Sequence, residues 1–267
     1  MFAQMKHLAI VSSNQNREGE FYHKLFGLKL SGGRPGGAVV VRDGYLGLNI
    51  NPRAPGRQAG LDHFGFEVQD VELVFSRLRE RYPSIQVLKR PSNRPFAGIS
   101  THDPAGNVFD LSQQGMENRT DLYVEADREQ NRYVRHFALR AVESERVAEF
   151  YRGIFDLTEM EKPAGDPNHY LSDGRVTLAI LPWQISDFAG TGIERPALDH
   201  IGFKVEDLKA FKAELKNLED SLSAPVDSRP EKHPEREARQ KLFARSCCLG
   251  QLQFSDPDGV LIDVSEK

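Results

Sequence analysis

The sequence predicts an α+β fold of four βαβββ units arranged as two tandem copies. Two observations carry that expectation. The motif His-apolar-(Ala or Gly)-apolar occurs four times, as His7-Leu-Ala-Ile, His63-Phe-Gly-Phe, His136-Phe-Ala-Leu and His200-Ile-Gly-Phe, each opening a strand-like apolar run. The two halves also align with each other. His7-Leu-Ala-Ile through Phe21-Tyr-His-Lys-Leu-Phe-Gly-Leu28 lies over His136-Phe-Ala-Leu through Phe150-Tyr-Arg-Gly-Ile-Phe-Asp-Leu157 without a gap. Leu61-Asp-His-Phe-Gly-Phe matches Leu198-Asp-His-Ile-Gly-Phe, and Asp103-Pro-Ala-Gly-Asn-Val-Phe-Asp110 matches Asp256-Pro-Asp-Gly-Val-Leu-Ile-Asp263. Self-similarity of this kind marks a duplicated architecture.

Each unit opens on its His strand and continues into an amphipathic helix. In the first unit Phe21, Leu25 and Leu28 form one stripe, flanked by Tyr22 and Phe26. Short strands over Ala38–Val41 and Tyr45–Ile50 follow. The loop Gly32-Gly-Arg-Pro-Gly-Gly37 before them lacks the Lys-Ser/Thr ending of a phosphate cradle and reads as a hairpin connection. The second unit places its helix over Val71–Arg81 and ends on Phe109-Asp110-Leu111. The third and fourth units repeat the plan from His136 and His200. The expected division is a first domain over 1–115, a polar linker over 116–133 and a second domain over 134–267. A Pro-rich insertion of mixed charge at about 227–241 reads as a solvated loop.

Composition narrows the function classes. The net charge of −4 and pI near 6.1 give no electrostatic footprint for nucleic acid or an anionic membrane. No apolar stretch reaches membrane-spanning length. The N-terminal Met-Phe-Ala-Gln-Met-Lys-His runs straight into a strand without a secretory apolar region, so the expected compartment is the cytoplasm. Cys247 and Cys248 are adjacent, a poor geometry for a disulfide, and read as reduced thiols.

Strand alternation puts each motif His on the same face as the small residue two positions on. That face carries a polar ligand beside open space. Three side chains per half fall at equivalent places: His136, His200 and Asp263, the first choice of metal ligands, and His7, His63 and Asp110, the second. Two imidazoles and one carboxylate on one side of an ion leave coordination positions open, the facial arrangement of non-haem Fe(II) sites. A strand His is ordinarily a satisfied core residue and a strand-end Asp a turn former; recurrence of all three in register argues for ligation. Of the other histidines, His23 reads as solvent-facing and His102 as a turn or cavity residue. His169 and His233 are candidate acid–base groups.

On these residues the chain resembles the vicinal oxygen chelate superfamily. That group includes glyoxalase I, bleomycin-resistance proteins, methylmalonyl-CoA epimerases and extradiol dioxygenases. The four-unit layout is most similar to the two-domain extradiol ring-cleaving enzymes. The resemblance implies paired units forming incomplete, glyoxalase-like barrels around a divalent ion held by two His and one Glu. Both acid positions here are Asp, one methylene shorter. Val176 stands where the catechol-cleaving enzymes carry an acid–base His, Gln253 where they carry a Tyr, and Ala244 near a further His. A glyoxalase-type fourth carboxylate would fall near Asn49 or Ala179. Two pairings stay open: first unit with second and third with fourth, or first with fourth and second with third.

The implied function is an Fe(II) dioxygenase acting on a small catechol- or hydroquinone-like, or enolisable, substrate chelated through two oxygens, with dioxygen as co-substrate. Gln253 would hydrogen-bond the substrate and His169 would move protons. The alternatives are a Mn(II), Ni(II) or Zn(II) isomerase, epimerase or lyase, and a non-catalytic protein that sequesters a small molecule or drug. Exposed sheet edges in such an architecture would allow a homo-oligomer.

Overall fold

The first half of the chain, in a computed structural model, runs β1 (Ala3–Ser12), α1 (Gln15–Phe26), β2 (Lys29–Ser31), β3 (Val39–Arg42) and β4 (Gly47–Pro52). It continues through β5 (Gly60–Val68), α2 (Val71–Arg81), β6 (Val87–Lys89), β7 (Ile99–His102) and β8 (Val108–Gln113). The second half runs β9 (Tyr133–Ala141), α3 (Ser144–Phe155), β10 (Thr158–Glu159), β11 (His169–Ser172) and β12 (Thr177–Pro182). After a short helix α4 (Ile185–Thr191) come β13 (Leu198–Val205), α5 (Leu208–Ser221), β14 (Leu252–Ser255) and β15 (Leu261–Glu266). The structure describes residues 1–31, 36–90, 96, 98–115, 130–191, 195–221, 241 and 249–266. Most of the expected linker and insertion, with His233, Ala244, Cys247 and Cys248, lies outside the described residues.

The first three units follow the βαβββ plan. The fourth has two strands after its helix among the described residues, and α4 has no counterpart in the sequence reading. Helix α1 starts at Asn14, whose side chain accepts the Arg17 N–H, and stops at Gly27 in the left-handed region (φ 67°). Leu28 therefore lies beyond the helix and joins the core from the following segment, where it is fully buried. Among the described residues no helix is long and apolar enough to cross a membrane.

The strands form two sheets, ordered β2-β3-β4-β1-β5-β8-β7-β6 and β10-β11-β12-β9-β13-β15-β14. In the first, β1 and β5 pair antiparallel at the centre, and each pairs in parallel with the last strand of its own unit, β4 or β8. A parallel return needs a long crossover, which explains the helix after the first strand of each unit. The second sheet repeats this with β9, β13, β12 and β15. The first unit thus shares a sheet with the second, and the third with the fourth, which decides between the two pairings.

Helices α1, α2, α3 and α5 contribute to one apolar cluster that spans both halves. Phe26 of α1 stacks on Phe203 of β13 with ring centroids 3.8 Å apart, and Phe155 of α3 stacks on Phe66 of β5 at 4.2 Å. Each such ring contributes about 1.5–3 kcal/mol by burial. Two polar ties repeat the same symmetry: Tyr22 donates to Asp256 at 2.8 Å, and Tyr151 to Asp103 at 3.0 Å. Asp256 and Asp103 open the two Asp-Pro-x-Gly turns, so each turn is tied to a helix of the opposite half.

Candidate metal centre

The floor of each site is a row of three residues across adjacent strands. His7 pairs with Gly65, which pairs with Asp110; His136 pairs with Gly202, which pairs with Asp263. The glycine of the His-x-Gly motif therefore lies between the other strand's His and the final carboxylate. His63 and His200 project from the same strands two residues earlier.

A β-bulge sets the angle of these two histidines. The β1–β5 register passes from Ala9↔His63 to Ile10↔Leu61 and leaves Asp62 as the extra residue; Asp199 is the extra residue opposite Ala138 and Leu139. Bulges re-aim side chains, and here each Asp turns onto its own neighbour. His63 Nδ1 lies 2.7 Å from Asp62 Oδ2, and His200 Nδ1 lies 2.8 Å from Asp199 Oδ2. A carboxylate on Nδ1 directs Nε2 to the opposite side, the arrangement that metal-ligating imidazoles use.

All three donors converge in each half. His63 Nε2 is 3.3 Å from His7 Nε2 and 3.2 Å from Asp110 Oδ2. His136 Nε2 is 3.1 Å from His200 Nε2 and 3.4 Å from Asp263 Oδ2. Within each set the ligand atoms lie within 4.8 Å of one another. The carboxylates are held from behind. Ser100 Oγ donates to Asp110 Oδ1 and in turn receives Arg90 Nε at 2.9 Å. Gln253 Nε2 donates to Asp263 Oδ1 at 2.9 Å, while Oδ2 of the same carboxylate is buried without a hydrogen-bond partner. A buried, orphaned carboxylate oxygen facing two imidazole nitrogens is a donor set that fits a divalent cation.

Residues 4–111 match the sequence model of the Glyoxalase/Bleomycin resistance protein/Dioxygenase superfamily. The match runs from β1 into β8 and covers the first sheet and its helices.

Solved structures of similar fold cover the whole chain. The 2,2',3-trihydroxybiphenyl 1,2-dioxygenase of dibenzofuran-degrading Sphingomonas wittichii superposes with a TM-score of 0.65 at 13% identity, covering 100% of this chain and 91% of its own. The Mn(II)-bound glyoxalase of Novosphingobium aromaticivorans gives 0.66 at 14% identity, covering 99% and 82%. A catechol 2,3-dioxygenase gives 0.63 at 14% identity, covering 98% and 87%. No curated protein matches the sequence. The α+β reading with two tandem glyoxalase-like domains stands, and at these identities the likeness is one of fold.

The two triads differ in charge state. Burial, with the neighbouring His63, lowers His7 to about 3. Burial alone would lower His63 as well, but hydrogen bonds to Asp110 and Asp62 outweigh it and raise that imidazole to about 9. Burial works against ionised Asp110, yet the contact with His63 holds it below the usual carboxylate range. Without an ion, a proton on His63 thus occupies the place between Nε2 and Asp110 that a cation would take. In the second triad burial dominates, lowering His136 well below its ordinary value and raising Asp263.

Several expectations need correction. The space beside the motif glycines is filled. A Cβ at Gly202 would fall 1.8 Å from His136 Cε1, and one at Gly65 would fall 2.5 Å from Phe96 Cε1. Phe96 itself lies on His7, with ring centroids 4.9 Å apart at 18°. The glycine accommodates a ring already belonging to the site. His169 is not brought to the second triad: its imidazole lies near Glu145 of α3 and Glu159, at 3.4 and 3.7 Å. It shares its strand face with Leu171 of the inter-sheet core, whereas Tyr170 clusters with Ala138, the neighbour of His136 on the concave face. One residue of strand phase separates it from the site. His102 accepts the Gln86 N–H at 3.2 Å and contacts the Asp103 carbonyl at 2.8 Å, which makes it a turn residue.

The sequence reading missed Asp62, Asp199, Arg140 and Phe96. The Asp-His dipeptide stood in both copies of Leu-Asp-His-x-Gly-Phe, and its repetition was the available signal. Phe96 and Arg140 have no such repeat.

Proposed function

We propose that the protein is a divalent-metal-dependent oxygenase that takes Fe(II) and acts on a small catechol- or hydroquinone-like substrate through two neighbouring oxygens. The observation that carries this reading is the convergence of two imidazole nitrogens and one carboxylate in each half. Three protein donors leave room in an octahedral shell for two substrate oxygens and dioxygen. A bound divalent ion supplies Lewis acidity toward the substrate oxygens. The chain's own groups do the positioning: Asp62 and Asp199 orient the imidazoles, and Ser100 and Gln253 hold the carboxylates.

Access favours the first half as the working site. The His63 side chain is 20% exposed, against 0% for His200 and Asp263. The proposed working ligands are His7, His63 and Asp110, the second choice of the sequence reading. His136, His200 and Asp263 form a closed set that holds an ion away from solvent. Phe96 then lies where a planar ring beside His7 would sit, and it keeps water out until substrate displaces it.

A second reading, a Mn(II), Ni(II) or Zn(II) isomerase, epimerase or lyase, is favoured by one observation. Asn49 pairs with Ala9, two residues from His7 on the same face, and its Oδ1 is buried without a hydrogen-bond partner. A fourth protein oxygen would leave two positions for substrate and none for dioxygen. Oxygen uptake by the Fe(II)-loaded protein, measured over a panel of catechols and hydroquinones, separates the two. Uptake that Asp110→Ala abolishes supports the oxygenase. Chelator-sensitive turnover without oxygen uptake overturns it in favour of the isomerase, and failure to retain any ion overturns both in favour of a sequestering protein.

A further inference from the structure

We infer that the junction between the two halves binds a small oxyanion that also carries a hydroxyl, such as a hydroxycarboxylate or dihydrogen phosphate, at a site separate from both triads. The place is a cavity of about 330 Å³ between the turn after β3 and the turn before β12, closed by the start of β9. Its polar lining is Arg135, Arg175, Tyr45, Tyr133, Gln130 and the carboxylate of Asp43, with Gly44 and Gly174 at the two turns.

The two arginines carry the argument. Arg135 Nη1 donates to the Arg175 carbonyl at 2.9 Å, and the Arg175 guanidinium lies 4.9 Å from the Tyr45 ring centroid. Among the described residues neither forms an ion pair, whereas Arg140, Arg132, Arg77 and Arg152 each meet a carboxylate. Two guanidinium forks beside one cavity present planar donor sets suited to carboxylate or phosphate. Lys6 lies over the same ring, with Nζ 3.8 Å from the Tyr45 centroid, and its charge acts on Asp43.

Backbone donors hold the two nearby carboxylates, Asp43 in the lining and Asp173 beside Tyr45, and Lys6 offsets the Asp43 charge, so the two arginines leave the junction with a positive excess. Asp43 accepts the N–H groups of Tyr45, Leu46 and Val134. Asp173 accepts those of Met5, Arg175 and Val176, together with the Tyr45 hydroxyl. Gln130 supplies the second requirement: its Oε1 is buried with no hydrogen-bond partner, and it needs a donor. A ligand hydroxyl meets that need while its charged oxygens meet the arginines.

The cations reach the junction through the same irregularity that builds the triads. The register shifts between Met5 and His7, and between Phe203 and Gly202 opposite β9, leave Lys6 and Arg135 as extra residues. Each bulge turns a cation away from the strand's alternation immediately before a ligand histidine.

The test is isothermal titration calorimetry on chelator-treated protein at constant ionic strength, with inorganic phosphate, glycolate and acetate as probes. Saturable binding of one phosphate per chain is expected, with glycolate tighter than acetate. Arg175→Gln should weaken phosphate by roughly ten- to a hundredfold, the loss of a charge-assisted hydrogen bond. Gln130→Glu, which places a carboxylate among the arginines, should abolish binding, and serves if Arg175→Gln does not fold. Asp110→Ala/Asp263→Ala should leave binding unchanged. No saturable binding, or unchanged binding in the folded Arg175 or Gln130 variants, overturns the site, as does loss of binding in the double triad variant. Equal affinity for glycolate and acetate overturns the hydroxyl requirement.

Discussion

Asp199 joins His200 to Arg140: one carboxylate oxygen faces His200 Nδ1 at 2.8 Å, and the other receives Arg140 Nε at 2.8 Å. All three side chains are buried. The first half lacks this clamp, because Val11 stands at the position of Arg140 and Asp62 is met instead by the exposed Arg57. A buried ion pair adds little net stability, but removing one partner strands the other charge in an apolar interior. Arg140→Met should therefore destabilise the fold by about 3–5 kcal/mol in urea denaturation. Adding Asp199→Asn should recover part of the loss, since no charge is then left unpaired. A single variant as stable as the parent would show that Asp199 does not depend on Arg140.

Metal affinity should depend on the bulge aspartates as well as on the ligands. The parent is expected to bind two Fe(II) or Mn(II) ions per chain, and Asp110→Ala or Asp263→Ala one each. In the Asp263→Ala background, Asp62→Asn should weaken the remaining site by roughly ten- to a hundredfold, the usual effect of removing the carboxylate behind a ligating imidazole. Competition against a chromophoric chelator measures it. An unchanged constant would mean that Asp62 is a turn residue alone.

The two motif glycines should respond differently to alanine. At Gly202 the new methyl meets the His136 ring itself, so relief requires moving a ligand, and Gly202→Ala should lose one bound ion. At Gly65 the nearest atom belongs to Phe96, with Asp110 O and His7 Cβ both at 3.2 Å. Overpacking of this kind costs about 1–3 kcal/mol. Gly65→Ala/Phe96→Ala should then be less destabilised than the sum of its single variants. Strict additivity in thermal or urea unfolding would rule out that contact.

The triads were legible in the sequence because the same three residues recur in register in both copies, and strand alternation fixes which face a His shares. Other features depend on relationships that a linear pattern does not carry. The pairing of units required knowing that β1 lies beside β5. The role of Asp62 and Asp199 required a one-residue bulge, which hides inside an uninterrupted apolar run. His169 was misplaced by a single step of strand phase, since His169 and Tyr170 are both polar-tipped residues on β11 and only Tyr170 faces the concavity. Phe96 was invisible because it reaches His7 from a distant part of the chain.

Glu18 ties stability to alkaline pH at a point remote from both triads. It is buried in α1 beside Asp256 and Asp258, with Arg17 and Tyr22 as the other neighbouring groups. Burial, reinforced by the Asp256 and Asp258 charges, pushes its carboxyl from 4.5 to about 12. The folded value lies above the unfolded one, so the neutral carboxyl's contribution is complete below pH 4.5 and is lost progressively as pH rises toward about 12. Between those limits the unfolded chain releases a proton that the folded chain keeps, and stability falls by up to ~1.4 kcal/mol per pH unit. Glu18→Gln has no such proton to lose. Its urea midpoint should gain on that of the parent as pH is raised from about 6 to about 9. Parallel midpoints over that range would mean that Glu18 is ionised in the folded protein, with a cation or buried water beside it.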